Sequence, residues 1–210
     1  MAESSEGQQQ TGQEATERLR TGNARFLEAI ARSPDPAGTT ASLAKAEPYA
    51  IILGCSDSRV PPEVVFNESI GRLFVIRVAG NVAGNDETGT IEYALALWDC
   101  PLVVALGHTQ CAGIAAAMDR PPTSGDRAID VSSSMNLSSL VASIRANLGW
   151  TRGWSSTDPW GDAARLNVRR TIEQMLTWSP PIRRRVELGR LKVLGAIYHV
   201  ETGAVEFLED

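Results

Sequence analysis

Three short, mainly apolar runs mark the first half of the chain. They occupy residues 49–54, 73–78 and 102–107, and proline, glycine or polar residues bound each run. Apolar runs of this length without regular polar alternation are typical of strands buried on both faces of a parallel sheet. The pattern therefore predicts three strands at the centre of the fold.

Segments in which apolar residues recur at helical spacing alternate with these strands. The predicted helices cover residues 16–30, 86–98, 111–118, 137–148 and 163–178. Near the end of the chain, residues 192–200 and 204–208 resemble two strands, and the turn residues Glu201, Thr202 and Gly203 separate them. Strands alternating with helices predict an α/β fold, a mostly parallel central sheet flanked by helices.

Composition narrows the class of protein. The 210 residues are 43% hydrophobic and 21% charged, as in ordinary globular domains, and no apolar run approaches the roughly 18 residues of a membrane helix. A net charge of −5 argues against a nucleic-acid partner. Residues 1–12 are polar and rich in glutamine, so we expect a disordered tail followed by one domain over residues 13–210.

Cysteine and histidine are scarce, and their positions are informative. The chain has three cysteines, Cys55, Cys100 and Cys111, and two histidines, His108 and His199. An odd cysteine count, in a chain whose first residues lack the pattern of a secretory signal, predicts reduced thiols in the cytoplasm, not a disulfide framework.

Cys55 follows the first predicted strand, and His108 and Cys111 follow the third. Because ligands bind beyond the carboxyl ends of strands in open parallel sheets, these side chains are expected at one edge. Two thiolates and one imidazole form a three-ligand zinc set with a fourth position free, as in catalytic sites. The alternative is that Cys55 and Cys111 are buried packing residues and that His108 caps a helix. For Cys100 and His199 we prefer a purely structural role.

Asp57 and Arg59 lie directly after Cys55, with one residue between them. In an extended segment, side chains at this spacing point the same way, so the guanidinium can hold the carboxylate ionised. The pair is either a structural ion pair or part of the site. In the site, Asp57 either accepts a hydrogen bond from water on the metal or occupies the fourth position itself.

Taken together, these residues resemble the β-class carbonic anhydrase family. The likeness runs from about Leu19 to Leu208 and leaves out the tail and part of residues 119–162. The motifs that carry it are Cys55-x-Asp57-x-Arg59, Arg77-Val78-Ala79-Gly80-Asn81, Glu92-Tyr93-Ala94, His108-x-x-Cys111 and Gly195-Ala196-Ile197-Tyr198.

The resemblance implies one zinc ion per chain with Cys55, His108 and Cys111 as its ligands, and Asp57 with Arg59 as the catalytic dyad. The implied reaction is reversible hydration of carbon dioxide to bicarbonate and a proton by zinc-bound hydroxide. Because two thiolates donate more charge than imidazoles, the zinc-bound water should be less acidic than on an all-histidine zinc.

The family also implies substrate-binding roles for Ala112, Tyr93 and Phe66. It implies a homodimer or a dimer of dimers, in which the N-terminal helix packs on a neighbouring subunit. We expect a cytoplasmic protein, either free or packed in a bacterial microcompartment, with no nucleic-acid or membrane partner.

The chain departs from the family at one position that bears on substrate binding, and two other functions stay open beside the implied one. Family members commonly carry a substrate-positioning glutamine where this chain has Ala46, and Asn67 or Glu68 is a candidate to compensate. The alternatives are a related zinc hydrolase of carbon disulfide or carbonyl sulfide, and a catalytically weak homologue that acts as an interaction protein.

Overall fold

The computed structural model describes residues 11–35, 39–40, 43–119, 129–149 and 157–208. Most of the predicted tail, residues 1–10, lies outside the described residues. The chain divides into two compact units, residues 1–45 and residues 46–210. In the described part of the chain, no helix is both long and apolar enough to cross a membrane.

The first unit is built on one long helix, α1 (Gly12–Ala31). It begins four residues before the predicted start, because Thr11 and Glu14 form a capping box that satisfies the first backbone N–H groups. No residue of α1 is buried, and Leu19 and Leu27 are 75% and 57% exposed. The apolar stripe predicted from the sequence is present and faces outward in the single chain.

The second unit contains a five-stranded sheet. Its strands in spatial order are β2 (Leu73–Arg77), β1 (Ala50–Gly54), β3 (Leu102–His108), β4 (Lys192–Tyr198) and β5 (Val205–Leu208). The first four are parallel and β5 is antiparallel to β4. The predicted α/β fold with a mostly parallel sheet is confirmed, as is the terminal strand pair.

Strand β1 shows why the apolar runs lack alternation. All five of its residues are buried. Ile51 and Leu53 pack into one hydrophobic cluster, whereas Ala50 and Ile52 pack into another. Because successive side chains point to opposite faces of a strand, both faces of the sheet must be covered and both sets of residues must be apolar.

Helices follow the strands at the predicted segments, and two short helices lie outside those segments, at residues 62–65 and 180–187. They are α2 (Pro62–Val65), α3 (Asn85–Trp98), α4 (Ala112–Ala117), α5 (Met135–Leu148), α6 (Pro159–Trp178) and α7 (Pro180–Glu187), with single 3₁₀ turns at Ala79–Asn81 and Val131–Ser133. Helix α6 starts four residues earlier than predicted, because Asp158 caps it and Pro159 suits the first helical position.

Helix α6 lies close against β3 and β4. A Cβ atom on Gly107 or on Gly195 would come within 2.7 Å of a methyl group of Val168. Such a contact is far too short for carbon atoms, so glycine at these two strand positions allows the helix to approach. This packing brings the buried face of α6 to the part of the sheet where the reactive residues lie.

Candidate metal centre

The predicted ligands meet at one edge of the sheet. Cys55 follows β1, His108 is the last residue of β3, and Cys111 is the N-cap of α4. Strands β1 and β3 are parallel neighbours, and after β1 the chain passes first to β2 on one side and then to β3 on the other. The site therefore lies beyond the strand ends at a topological switch point, where α/β sheets bind ligands.

The ligand atoms lie at distances that suit a single metal ion. The sulfurs of Cys55 and Cys111 are 3.9 Å apart, and the three ligand atoms, including a ring nitrogen of His108, all lie within 4.8 Å of one another. Tetrahedral zinc with Zn–S bonds of about 2.3 Å places two sulfurs about 3.8 Å apart. All three residues are buried, so the observed spacing fits zinc closely.

The imidazole of His108 is oriented for metal binding. Its Nδ1 donates to the carbonyl oxygen of Thr109 at 2.7 Å, which fixes the tautomer and leaves the lone pair on Nε2. His108 Nε2 is buried and is one of three such side-chain atoms without a hydrogen-bond partner among the residues that the structure describes. A buried acceptor with no donor is costly, and a cation at this position removes that cost.

The two thiols also favour a cation. Contact with the Cys111 sulfur and then with the His108 ring lowers the pKa of Cys55 to about 4. The pKa of Cys111 is raised well above its usual value, because its thiol donates to the Cys55 sulfur and because it is buried. A divalent cation between the two sulfurs would favour the ionised form of both.

Arg59 fixes the carboxylate of Asp57. Its Nε donates to Oδ1 at 3.0 Å and its Nη2 donates to Oδ2 at 2.8 Å, and its backbone N–H also donates to Oδ1. These bonds to Arg59 lower the pKa of Asp57 to about 2. The carboxylate is therefore ionised at any pH above mildly acid conditions, and its orientation is set by a two-point contact.

Asp57 lies beside the three ligands and not among them. Its Oδ2 is 3.9 Å from His108 Nε2, and its side chain is 15% exposed. Within the described residues, the set whose ligand atoms share a space small enough for one ion consists of Cys55, His108 and Cys111 alone. Of the two roles that the sequence left open for Asp57, this geometry favours a hydrogen-bond acceptor beside the metal.

Two residues of the site were given no role from the sequence. Gln110 accepts from Arg59 through both its side-chain and its backbone oxygen, each at 3.2 Å. Arg77, at the end of β2, donates to the backbone carbonyls of Cys55 and Asp57. The sequence did contain signals for both residues. Gln110 lies between two predicted ligands in the chain, and Arg77 lies at the end of a neighbouring predicted strand.

The three predicted substrate-binding residues occupy different surroundings. Ala112 follows Cys111 directly and is exposed at the start of α4. Phe66 is half-buried in a hydrophobic cluster that contains neither cysteine ligand, and Tyr93 is 59% exposed on α3. The structure of one chain thus places Ala112 next to the ligands and does not bring the other two to them.

Cys100 and His199, for which we preferred a structural role, both contact groups outside the set of predicted ligands. The thiol of Cys100 is buried and donates to the carbonyl of Pro48 at 3.1 Å. His199 lies just beyond β4, not within a strand as the sequence suggested, and its Nε2 is 3.2 Å from a carboxylate oxygen of Glu206.

Glu68, which was a candidate to compensate for Ala46, has a partner elsewhere. It accepts a hydrogen bond from the hydroxyl of Tyr49 at 2.6 Å. That contact occupies the carboxylate away from the metal ligands, so it does not support a compensating role for Glu68.

Comparisons with known proteins agree with this geometry. A family model described as carbonic anhydrase matches residues 50–205. The carbonic anhydrase of Mycolicibacterium smegmatis is 34% identical over 193 residues, which is 90% of this chain and 89% of that protein. Carbonic anhydrase 2 of Mycobacterium tuberculosis is 32% identical over 190 residues, 88% of this chain and 87% of that protein.

Solved structures show the same fold. One of two tetrameric β-carbonic anhydrases from the filamentous ascomycete Sordaria macrospora superposes with a TM-score of 0.72 at 25% sequence identity. The match covers 93% of this chain and 96% of that one. The fold is therefore shared along nearly the whole chain.

Proposed function

Because this chain belongs to the β-class carbonic anhydrase family, we propose that its strand-end site, with Cys55, His108 and Cys111 as zinc ligands, catalyses the reversible hydration of carbon dioxide to bicarbonate and a proton. The observation that carries the proposal is the convergence of two buried sulfurs and a partnerless ring nitrogen beside an arginine-held carboxylate. Zinc held by these three residues would act as a Lewis acid that lowers the pKa of water and so supplies a nucleophile.

The dyad has a defined part in this reaction. Arg59 uses two nitrogens to keep the Asp57 carboxylate turned toward itself, so that this carboxylate is not a fourth ligand. The ionised Asp57 then accepts a hydrogen bond from the attacking water and orients that water's lone pair toward the carbon of the substrate. Gln110 supports this arrangement by accepting from Arg59.

The residues proposed to contact substrate are Ala112, Phe66 and Tyr93. Ala112 presents only a methyl group beside the metal ligands, which leaves room for a small linear molecule. The half-buried ring of Phe66 offers apolar surface, which suits carbon dioxide, but it lies apart from the ligands in the single chain, so its proposed role also requires an assembly. Tyr93 is exposed in the single chain, so its proposed role requires an assembly that brings it to a site.

We place the chain in a homodimer or a dimer of dimers, with α1 packed on a neighbouring subunit. The support is that α1 has no buried residue and exposes Leu19, Phe26 and Leu27, and that the Sordaria macrospora enzymes are tetrameric.

Sedimentation of the full chain is expected to give two or four copies. Leu27→Glu should shift the distribution toward smaller species because it places a charge in the contact, and a wild-type monomer would contradict the assembly.

The proposed location is the reducing cytoplasm. Cys55 and Cys111 must stay as separate thiolates to bind zinc, and their sulfurs are only 3.9 Å apart, so an oxidising compartment would favour their pairing. Nothing in the structure or the comparisons supports packing into a microcompartment.

The hydration rate is expected to rise from neutral to alkaline pH. Cys55 and Cys111 would donate more charge to zinc than two imidazoles would, so water activated there would be less acidic than on an all-histidine zinc. The low pKa of Asp57, about 2, means that this carboxylate is already ionised over the whole range and does not cause the rise. Stopped-flow measurement of carbon dioxide hydration by zinc-loaded protein checks this, and a flat profile would contradict it.

The same preparation distinguishes the other functions. Hydrolysis of carbon disulfide without hydration of carbon dioxide would identify the related hydrolase. Stoichiometric zinc without either activity would identify a homologue that acts as an interaction protein. The family comparisons favour neither alternative.

A further inference from the structure

A backbone N–H contacts one of the two sulfurs. The N–H of Gly80, in the 3₁₀ turn Ala79–Asn81 that follows β2, donates to the Sγ of Cys55 at 3.4 Å. A hydrogen bond to a thiolate withdraws electron density and fixes the direction of its lone pairs, so it affects how strongly the sulfur donates to a metal. The conformation of Gly80 is therefore part of the site.

Gly80 has an unusual conformation that something must hold. Its φ is 73° and its ψ is 13°, in the left-handed region that suits glycine. A Cβ at this position would lie 2.5 Å from Cδ1 of Ile144 on α5, so no other residue fits without movement. Glycine has the widest choice of backbone conformations, and the turn needs an anchor to keep its N–H directed at Cys55.

Asn167 on α6 supplies that anchor. Its Nδ2 donates to the carbonyl oxygen of Gly80 at 2.7 Å. Since a carbonyl can only accept, the amide nitrogen of Asn167 must face Gly80, and its Oδ1 must face away. That Oδ1 accepts from Nδ2 of Asn147 on α5 at 3.0 Å, so the orientation of the amide is fixed from both sides.

The amides form a continuous buried network. Asn147 Nδ2 also lies 3.3 Å from the hydroxyl of Thr171, and Asn147 Oδ1 accepts from Gln174 at 2.7 Å. Asn167 and Thr171 are fully buried and Asn147 is 2% exposed. In such surroundings an unpaired polar group is costly, so the network holds its geometry firmly.

We propose that Asn167 is a positioning residue for the metal centre: through its bond to the Gly80 carbonyl, it keeps the Gly80 N–H on the Cys55 sulfur and thereby sets the strength with which that sulfur holds zinc. The inference rests on the proposed function in one respect, the role of Cys55 as a ligand. Asn167 is 112 positions beyond Cys55 in the chain, and only the packing of α6 against the sheet brings it into this relay.

The test replaces Asn167 with leucine, which has a similar shape and no hydrogen-bonding groups. Zinc affinity is measured by competition with a chromophoric chelator, and the thiolate-to-metal charge-transfer band is recorded on the Co²⁺-substituted protein. We expect zinc affinity to fall about tenfold, at the low end of the range for outer-shell partners of a metal, because the Cys55 sulfur is no longer held in the direction of the ion. We expect the charge-transfer band to move to longer wavelength, because a sulfur without its hydrogen bond is more readily oxidised.

Thr171→Val is the matched control. It removes one buried hydrogen bond from the same network but leaves the contact between Asn167 and Gly80 intact. Chemical denaturation should show a loss of stability in both variants, whereas affinity and band position should change only in Asn167→Leu. If the leucine variant does not fold, Asn167→Ser, whose short side chain cannot span the gap, replaces it with the same expectations.

The outcomes separate the two proposals. If wild-type protein fails to bind one zinc per chain, the proposed function is wrong. The positioning role is wrong if wild-type protein binds zinc and hydrates carbon dioxide but Asn167→Leu has the same zinc affinity and spectrum as Thr171→Val. Asn167 would then have only a structural role.

Discussion

Asp57→Asn is expected to retain one zinc per chain and to lower kcat for carbon dioxide hydration by about 100-fold or more, the lower end of what a positioned acid–base group contributes. The carboxylate accepts bonds from Arg59 and is ionised because its pKa is about 2. An amide of the same shape carries no charge, and its NH₂ group cannot accept. Metal content by elemental analysis and stopped-flow kinetics together measure the effect.

Asp119→Asn is the control for this prediction. Asp119 pairs with Arg145 at 2.7 Å, but the two side chains are 65% and 47% exposed, so the pair contributes little. Its φ of 55° is one that asparagine adopts readily. We expect unchanged kcat in this variant. Full activity in Asp57→Asn, with zinc bound, would remove the dyad from the mechanism.

Cys111→Ser is expected to lose both the zinc and the activity. The substitution leaves two protein ligands, because a serine hydroxyl is not ionised near neutral pH and binds zinc poorly. Structural zinc sites bind with about 12 kcal/mol shared among four ligands, so one ligand corresponds to about 3 kcal/mol, or more than a hundredfold in affinity. Elemental analysis after dialysis against a chelator should find almost no zinc.

The third cysteine provides a matched control. Cys100 is as buried as Cys111, at 1% against 6% exposure, but its thiol donates to a backbone carbonyl and not toward the metal centre. Cys100→Ser can keep that bond through its hydroxyl. It is expected to bind one zinc and to remain active. Zinc retained in Cys111→Ser, or lost in Cys100→Ser, would show that the ligands have been wrongly assigned.

The fold could be predicted well from the sequence because the burial of a strand determines its pattern of apolar residues. Strands β1 and β3 are covered on both faces, so their apolar runs are continuous and could be read without any partner. The helix starts were less accurate. Thr11 and Asp158 begin α1 and α6 inside polar stretches, where a local cap decides the boundary and the apolar period gives no signal.

The metal ligands could also be predicted from the sequence, for a topological reason. Once two apolar runs are taken as parallel neighbours, their ends must meet, and Cys55 and His108 lie at those ends. The close pair Asp57 and Arg59 was visible for a simpler reason, because two residues in one extended segment interact whatever the rest of the chain does.

By itself, then, the sequence determined the α/β architecture, the meeting of Cys55, His108 and Cys111, and the contact between Asp57 and Arg59, since each depends on local spacing or on strand ends. Only the tertiary structure decided which distant groups hold that chemistry in place. The contacts of Asn167 with Gly80 and of Gln110 with Arg59 depend on how α6 and the turn after β3 pack. The way in which a helix packs on the sheet depends on the side chains of the whole core, so it cannot be predicted from a short stretch of sequence.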